Sequence, residues 1–394
     1  MLINCHPVRS MLNAALSFCV FTLLAVGCGG PASHENTDLE KVVYEKGSGS
    51  LFTADFVKEI VAIALESSEA SFIGDMSELL PPAAEGYYVI EQDLAGWGNQ
   101  KRLLHFAPDG KFVQTIGRVG RGLGEYNYLR NVQISKNEIE LYAGVNAITR
   151  YTYAKDGQFL REAAFPYKAD QLMHWEGYDW AYLNHYNQYG PDRLIKVDAT
   201  GEKVNGFLPS DAKILPMPMD FAAFSLYGER LFLRESINYI IYEIQADTLL
   251  PRYQFDFGSL NVPDNHFTYP DVMQAADVLF ASSFANIDYF YENDFCTLVG
   301  GSINGKNARA TYVGVKHKGR QQWQWFSFPR EGQNSELFVA PFVLGDNSAV
   351  YCLVSADKLL QLSAASRGKF SNPQLLDALK EDDNCVLLKF VIEK

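Results

Sequence analysis

The sequence is poor in the residues and spacings that carry most recognisable chemistries. None of its six cysteines falls in a C-x-x-C pair, which argues against a zinc ribbon or a thioredoxin-type redox site. His105, His174, His185, His266 and His317 are scattered, without the H-x-x-x-H or H-E-x-x-H spacing that puts two zinc ligands on one helix face. No G-x-S-x-G elbow occurs, and no catalytic arrangement of Ser, His and Asp is evident. Positive charge is in deficit: 34 Lys and Arg against 47 Asp and Glu give a formal charge of −13, with no local concentration of basic residues. Such a chain repels a polyanion, so nucleic acid is not an expected partner.

What is present begins with a targeting segment. Arg9 supplies a positive n-region, "MLNAALSFCVFTLLAV" an apolar stretch, and "LLAVGCGG" (23–30) closes it with small residues ahead of Cys28. Leu24, Ala25, Val26 and Gly27 before Cys28 resemble a bacterial lipobox, in which the thiol is diacylated and the cysteine becomes the new N-terminus. A plain signal peptide and a single spanning helix are the alternatives, although so short a run is marginal for a span. The expectation is a lipoprotein signal over 1–27, a polar tether over 28–50 and a folded domain over 51–394. Cys296, Cys352 and Cys385 then remain in the domain, an odd number that permits at most one disulfide.

Beyond the tether, short segments such as "FVKEIVAIA", "YYVIEQ", "KRLLHFA", "EIELYAG" and "YIIYEIQ" recur almost without interruption. The 26 Phe and 22 Tyr suit pleated, half-buried surfaces, and Asp-Gly, Asn and Gly turns punctuate the runs. "FAPDGKFVQTI", "YAKDGQFLREAAF", "VDATGEKVNGF" and "IQADTLLPRYQF" share one form, with turns near 109, 156, 200 and 247; "VKHKGRQQWQWF" is a fifth copy. A period of roughly 40 to 50 residues with four short strands per unit is what a β-propeller blade requires. A first unit over about 51–101, sharing a blade with the C-terminal strand "NCVLLKFVIE", brings the count to six. Two helical insertions are expected, at 267–284 and at 372–382, the second with Asn372 as cap and Pro373 at the first helical position. The fold class is therefore all-β, a six-bladed β-propeller with small helical insertions.

Residues 116–126, "IGRVGRGLGEY", place four glycines after a strand. A phosphate-binding loop needs a following Lys-Ser or Lys-Thr and a helix, and here "EYNYLRNVQIS" leads into another strand, so the stretch reads as a blade-to-blade connection. The pattern F-x-x-D-G-K-F-V-x-x-I-G-x-x-G-x-G-x-G-E-Y, with "VKEIVAIALESSEASFIGDMSELL" before it and "LKEDDNCVLLKFVIEK" at the end, resembles the six-bladed β-propeller lipoproteins of gut Bacteroidetes, related in form to NHL-repeat propellers. The chain departs from that pattern at Leu123, where the family usually has proline, and at Cys385, where it has proline after Asn384. The resemblance implies architecture and an envelope location at the outer membrane, periplasmic or surface-facing; it carries no settled activity.

Candidate contact residues come from two places. "HWEGYDWAYLNHYNQYG" (174–190) holds Trp175, Tyr178, Trp180, Tyr182 and Tyr186, and aromatic rings beside Asn and Asp suit stacking on a sugar; packing between blades is the competing reading. In the glycine-rich stretch, Arg118, Arg121, Glu125 and Tyr126 are candidates for a ligand-facing loop, against a solvated connection. No cofactor is evident. Calcium on the propeller axis is compatible with the many Asp, Asn and Glu residues, but no spacing selects its ligands. The functional expectation is a lipid-anchored binding or scaffolding module for a glycan, peptide or envelope protein, with a hydrolase or lyase using carboxylates at the channel mouth as the alternative.

Overall fold

The computed structural model describes residues 39–47, 51–74, 77–93, 100–184, 189–209, 222–262, 272–305, 310–329, 342–345 and 348–393. The chain divides into Met1–Thr37 and Asp38–Lys394, and every described residue belongs to the second unit. The predicted signal and Cys28 lie outside the described residues.

Six antiparallel sheets of four strands form the blades of a propeller. Blade 1 comprises Glu78–Leu79, Tyr87–Asp93, Gln100–Phe106 and Phe112–Ile116; blade 2 comprises Leu129–Ile134, Glu138–Ala143, Ile148–Ala154 and Phe159–Phe165. Blade 3 comprises Gln171–Trp175, Tyr178–Tyr182, Asp192–Val197 and Lys203–Pro209, and blade 4 Phe224–Tyr227, Arg230–Leu233, Ile240–Gln245 and Thr248–Asp256. Blade 5 comprises Phe284–Glu292, Cys296–Asn304, Ala310–His317 and Gln324–Pro329. Blade 6 takes Val343–Leu344, Ala349–Val354 and Val386–Ile392 from the C-terminus and its fourth strand, Val57–Ala64, from the N-terminal side, with Ile60 opposite Phe390.

That shared blade closes the ring and removes the sheet edge that two free ends would leave. It also corrects the predicted first unit: residues 51–101 do not make one blade, because Val57–Ala64 goes to blade 6 while blade 1 starts at Glu78. A second correction concerns the tether. Glu40–Val43 pairs in parallel with Thr248–Asp256 as a fifth strand of blade 4. Val42 is buried there, and the Glu40 carboxylate accepts hydrogen bonds from Lys316 Nζ and Trp323 Nε1 of blade 5. Four residues are too few to show a strand period, so only long-range partners reveal this strand.

The outer hairpins follow their turn chemistry. Gly110, Gly157 and Gly201 have φ of 86°, 84° and 87°. The side chains of Asp109, Asp156 and Asp198 accept backbone N–H bonds two residues on, from Lys111, Gln158 and Thr200. Between blades, apolar side chains from facing sheets form one core per interface, all the way round from blades 1 and 2 to blades 6 and 1. Amides reinforce the inner strands: Asn131 and Gln133 of blade 2 each donate to and accept from the backbone of blade 3, at Leu172 and His174. Cys296, Cys352 and Cys385 are all buried, and none of the three is in a disulfide.

Strands within a blade alternate in direction, so the links between second and third strands and the links between blades emerge on one face, and the remaining hairpins on the other. From the first, here the connection face, the chain leaves to form Val272–Ala281 between blades 4 and 5, and Ala356–Leu360, Ala364–Arg367 and Pro373–Ala378 between the second and third strands of blade 6. Pro373 opens the last of these as expected, but Asn372 does not cap it through its side chain. Its amide instead pairs with the backbone N–H and C=O of Ala62, fastening the helix to the closing strand.

Candidate ligand-binding face

A cavity of about 720 Å³ opens on the connection face over blades 3 and 4. Its floor is a paired charge. Arg193, at the start of the third strand of blade 3, grips Glu235, just past the second strand of blade 4, with Nε to Oε1 at 2.7 Å and Nη2 to Oε2 at 3.0 Å. Tyr182 Oη donates to Oε1 and Asn238 Nδ2 to Oε2, so the carboxylate takes four hydrogen bonds while its side chain is 4% exposed. Burial alone would lower the Arg193 pKa, but the hydrogen bond and charge of Glu235 outweigh it and the guanidinium stays charged. Burial and the same carboxylate push the Tyr182 phenol well above its usual range. The two charges neutralise each other beneath the space above them.

A second set of contacts leads into the cavity from blade 2. Tyr128 lies in the connection between blades 1 and 2, and the Arg130 guanidinium carbon sits 5.5 Å from its ring centre. Arg130 also donates to the carbonyls of Gly144 and Val145, at 2.6 and 2.7 Å, and lies 3.7 Å from Asp170. Asp170 in turn accepts from Asn184 Nδ2 at 2.6 Å, and Asn184 lines the cavity.

Backbone strain marks the same region. Among the described residues six non-glycine positions have left-handed φ. Glu176 and Ala246 sit in two-residue hairpin turns, which require that conformation. The other four, Tyr128 (φ 60°), Asn184 (φ 53°), Leu208 (φ 53°) and Ile237 (φ 50°), all lie on the connection face of blades 2 to 4. Ile237 is β-branched, for which the region is a true outlier. It is held there by a hydrogen bond from its N–H to Asn286 and by packing with Val262, Leu279 and Phe284. Leu208 turns the chain so that the Pro209 carbonyl meets Arg193 Nη1 at 3.2 Å.

Deeper in the ring, Arg234 is buried and donates to the carbonyls of Ala222 and Ile287. Burial pushes the Glu78 carboxyl of blade 1 up, only partly offset by the charges of Lys101 and Arg234. Among the described residues no three His, Cys, Asp or Glu side chains converge as a metal site.

The aromatic stretch is not a platform. Trp180 is 1% exposed and packs with Trp175 and Phe207 in the core between blades 3 and 4. Tyr178 is half-buried under Lys196, whose Nζ lies 3.9 Å from the ring centre. Alternation along a strand is the same whether the face is core or solvent, and here the neighbouring blade covers it. Tyr182 alone of the set reaches the cavity, and Tyr186 lies outside the described residues.

The glycine-rich stretch is the connection its context implied. Arg118–Val119 pairs with Glu125–Tyr126, and Glu125 Oε2 accepts the N–H groups of Arg121 and Gly122 while Oε1 meets Arg118 at 3.0 Å. The Gly122 N–H foremost, with Arg118 and the Arg121 N–H, holds the Glu125 carboxyl below the usual range. At Gly124, φ is 69° and a Cβ would strike the Phe159 ring at 2.6 Å. Tyr126 is buried between blades 1 and 2, whereas Arg118 and Arg121 remain exposed; none of the four lines the cavity.

The chain belongs to the family described as Domain of unknown function (DUF4934), which it matches over residues 35–390. The search of curated proteins gives no match. Among solved structures, a Bacteroides fragilis NCTC 9343 protein carrying an export designation superposes with a TM-score of 0.70 at 18% identity, over 91% of this chain and 99% of that one. BamB from Moraxella catarrhalis gives 0.39 at 8% identity over 84% and 100%, and a Bacteroides caccae protein 0.33 at 10% identity over 64% and 77%. The first is a likeness of fold, and the other two carry no argument about this chain.

Proposed function

We propose that this member of the DUF4934 family is an exported binding module, lipid-anchored at Cys28 to the outer membrane, that captures a ligand on the connection face of blades 2 to 4. The observation that carries the reading is the cavity with the backbone around it: of the left-handed non-glycine residues that no hairpin accounts for, Asn184 and the β-branched Ile237 line it, and Leu208 sets the Pro209 carbonyl against Arg193 on its floor. Each such residue costs roughly 1 to 3 kcal/mol and persists where the surroundings over-determine it, which is characteristic of preorganised sites. Envelope location is supported by the "LLAVGCGG" stretch and by the export designation of the Bacteroides fragilis neighbour. Among the described residues no helix is long and apolar enough to cross a membrane.

Two experiments test this. Metabolic labelling with an alkyne fatty acid should mark the native chain in the envelope fraction and leave Cys28→Ser unmarked; equal labelling of both removes the anchor. For the site, native-mass screening of the full chain against oligosaccharides, peptides and charged small molecules should return a bound species that Gln254→Trp displaces. Gln254 is an exposed strand position lining the cavity, so the indole fills the space at little cost to folding. A bound species indifferent to that substitution places the site elsewhere.

A further inference from the structure

We infer that the ligand of this face is an extended peptide that adds a strand to the open edge of Glu40–Val43 and lays alternate side chains into the cavity. The inference rests on the binding reading above and adds the ligand's class and its mode of attachment.

Most polar side chains around the cavity are committed within the protein. Arg193 and Glu235 hold each other, and Asn184 donates to Asp170. Asn238 donates to Glu235 and accepts from the Ile240 N–H, while Asn261 donates to Asp256 and accepts from the Phe257 N–H. The Tyr239 hydroxyl donates to the Ala285 carbonyl and accepts from the Val262 N–H. A ligand read by these side chains would first have to break their bonds, and each broken bond leaves a partner unpaired.

Main-chain groups are the exception. Glu40–Val43 runs parallel to Thr248–Asp256, with Lys41 opposite Gln254 and Val43 opposite Asp256. The Tyr44 N–H donates to the Asp256 carbonyl, which sets the phase of the ladder. Val42 and Tyr44 turn N–H and C=O towards blade 4, and Lys41 and Val43 turn theirs away from it. Among the described residues no strand pairs with that outer side. The side chains divide in the same way: Val42 is buried in the core between blades 4 and 5, whereas Lys41 and Val43 are exposed, Val43 by 65%. This strand lines the cavity.

An edge of this kind is a template for another strand. The outward N–H and C=O groups of Lys41 and Val43 recur every second residue, at about 6.6 Å, and an extended polypeptide carries complementary groups at the same interval. Its side chains alternate across the new strand as those of Lys41, Val42 and Val43 do, so every second one meets the cavity. The one beside Val43 should be apolar, because it covers an exposed valine. The outer strands of blades 1, 2, 3 and 5 also end their sheets, but none of their residues lines this cavity. Only at Glu40–Val43 do main-chain bonds and the cavity act on one strand.

The test is selection of a phage-displayed library of random dodecapeptides on the full chain, then calorimetric titration of the best synthetic peptide against the native protein, Val43→Pro and Gln254→Trp. Proline at 43 deletes an N–H that blade 4 does not use and sets its ring on the open edge, while Val42 and Tyr44 keep their bonds. Val43→Pro should weaken the peptide about tenfold or more, and Gln254→Trp, which fills the cavity, should do the same. N-methylation of the peptide one residue at a time leaves the protein untouched. Its effect should alternate, with a loss of about tenfold at every second residue and little between. A library without binders overturns the inference, as does a peptide indifferent to Val43→Pro or to the position of the methyl group. If an oligosaccharide or charged molecule is displaced by Gln254→Trp and not by Val43→Pro, the peptide inference falls and the cavity reading stands. Dimers of the chain that Val43→Pro abolishes would give the edge to a second copy and overturn the inference. A peptide indifferent to both substitutions removes the cavity reading as well.

Discussion

Arg193 and Glu235 meet across the boundary between blades 3 and 4 through two parallel N–H to oxygen bonds of 2.7 and 3.0 Å, with side-chain exposures of 13% and 4%. Breaking a buried pair from one side leaves a charge without compensation. Glu235→Ala should therefore destabilise the fold by about 3 to 5 kcal/mol. Arg193→Met with Glu235→Leu should recover part of that loss, because neither charge is then stranded. Urea unfolding of the two variants checks the order, and equal losses would show that packing, not charge, dominates here.

Tyr128 tests strain against function. A residue at φ 60° pays a conformational penalty that glycine escapes. Tyr128→Gly should leave stability within about 1 kcal/mol of the parent while removing the exposed ring. Tyr128→Val, β-branched at the same position, should cost about 1 to 2 kcal/mol more than glycine. Thermal unfolding of the pair measures the difference, and a larger loss with glycine than with valine would mean the ring itself holds the fold.

Trp180 should behave as core. Trp180→Ala removes a fully buried indole from the interface of blades 3 and 4 and should cost about 3 to 5 kcal/mol. Among the described residues its Nε1 has no hydrogen-bond partner, so Trp180→Phe forfeits no hydrogen bond and should cost clearly less. Chemical denaturation of both distinguishes this from a surface ring, for which alanine would be nearly neutral.

Glu292 predicts part of the acid response. Burial pushes its carboxyl up, but hydrogen bonds from Lys318, Arg230 and Tyr253 outweigh burial and hold it below its ordinary value of 4.5. A carboxylate whose folded pKa is depressed contributes stability that is complete above the unfolded value and is lost as pH falls through the folded one. Stability should thus decline below about pH 4.5, and Glu292→Gln should be destabilised at neutral pH but lose less on acidification. Urea midpoints across that window are the measurement, and parallel curves for parent and variant would remove Glu292 from the account.

The ring and its hairpins were legible because their chemistry is local. Asp109 with Gly110 and Asp156 with Gly157 make the same turn from the same neighbours in sequence, and each copy announces a blade. The glycine-rich connection was legible for the same reason, since the residues after it lead into a strand. The aromatic stretch was not, because Trp175, Trp180 and Tyr182 alternate alike on a core face and on an exposed one. Nor was Glu40–Val43, whose partner strand lies some two hundred residues away.

The sequence by itself determined that strands of this length, closed by these turns, repeat at a blade's period. Tertiary structure alone decided which face carries the connections, that Val57–Ala64 closes the ring, and that Arg130, Asp170, Asn184, Arg193 and Glu235 share one surface. The physical reason is that hairpins are specified by residues adjacent in the chain, whereas a propeller's site is assembled by the closure of the ring, which brings blades together through burial rather than through any spacing along the sequence.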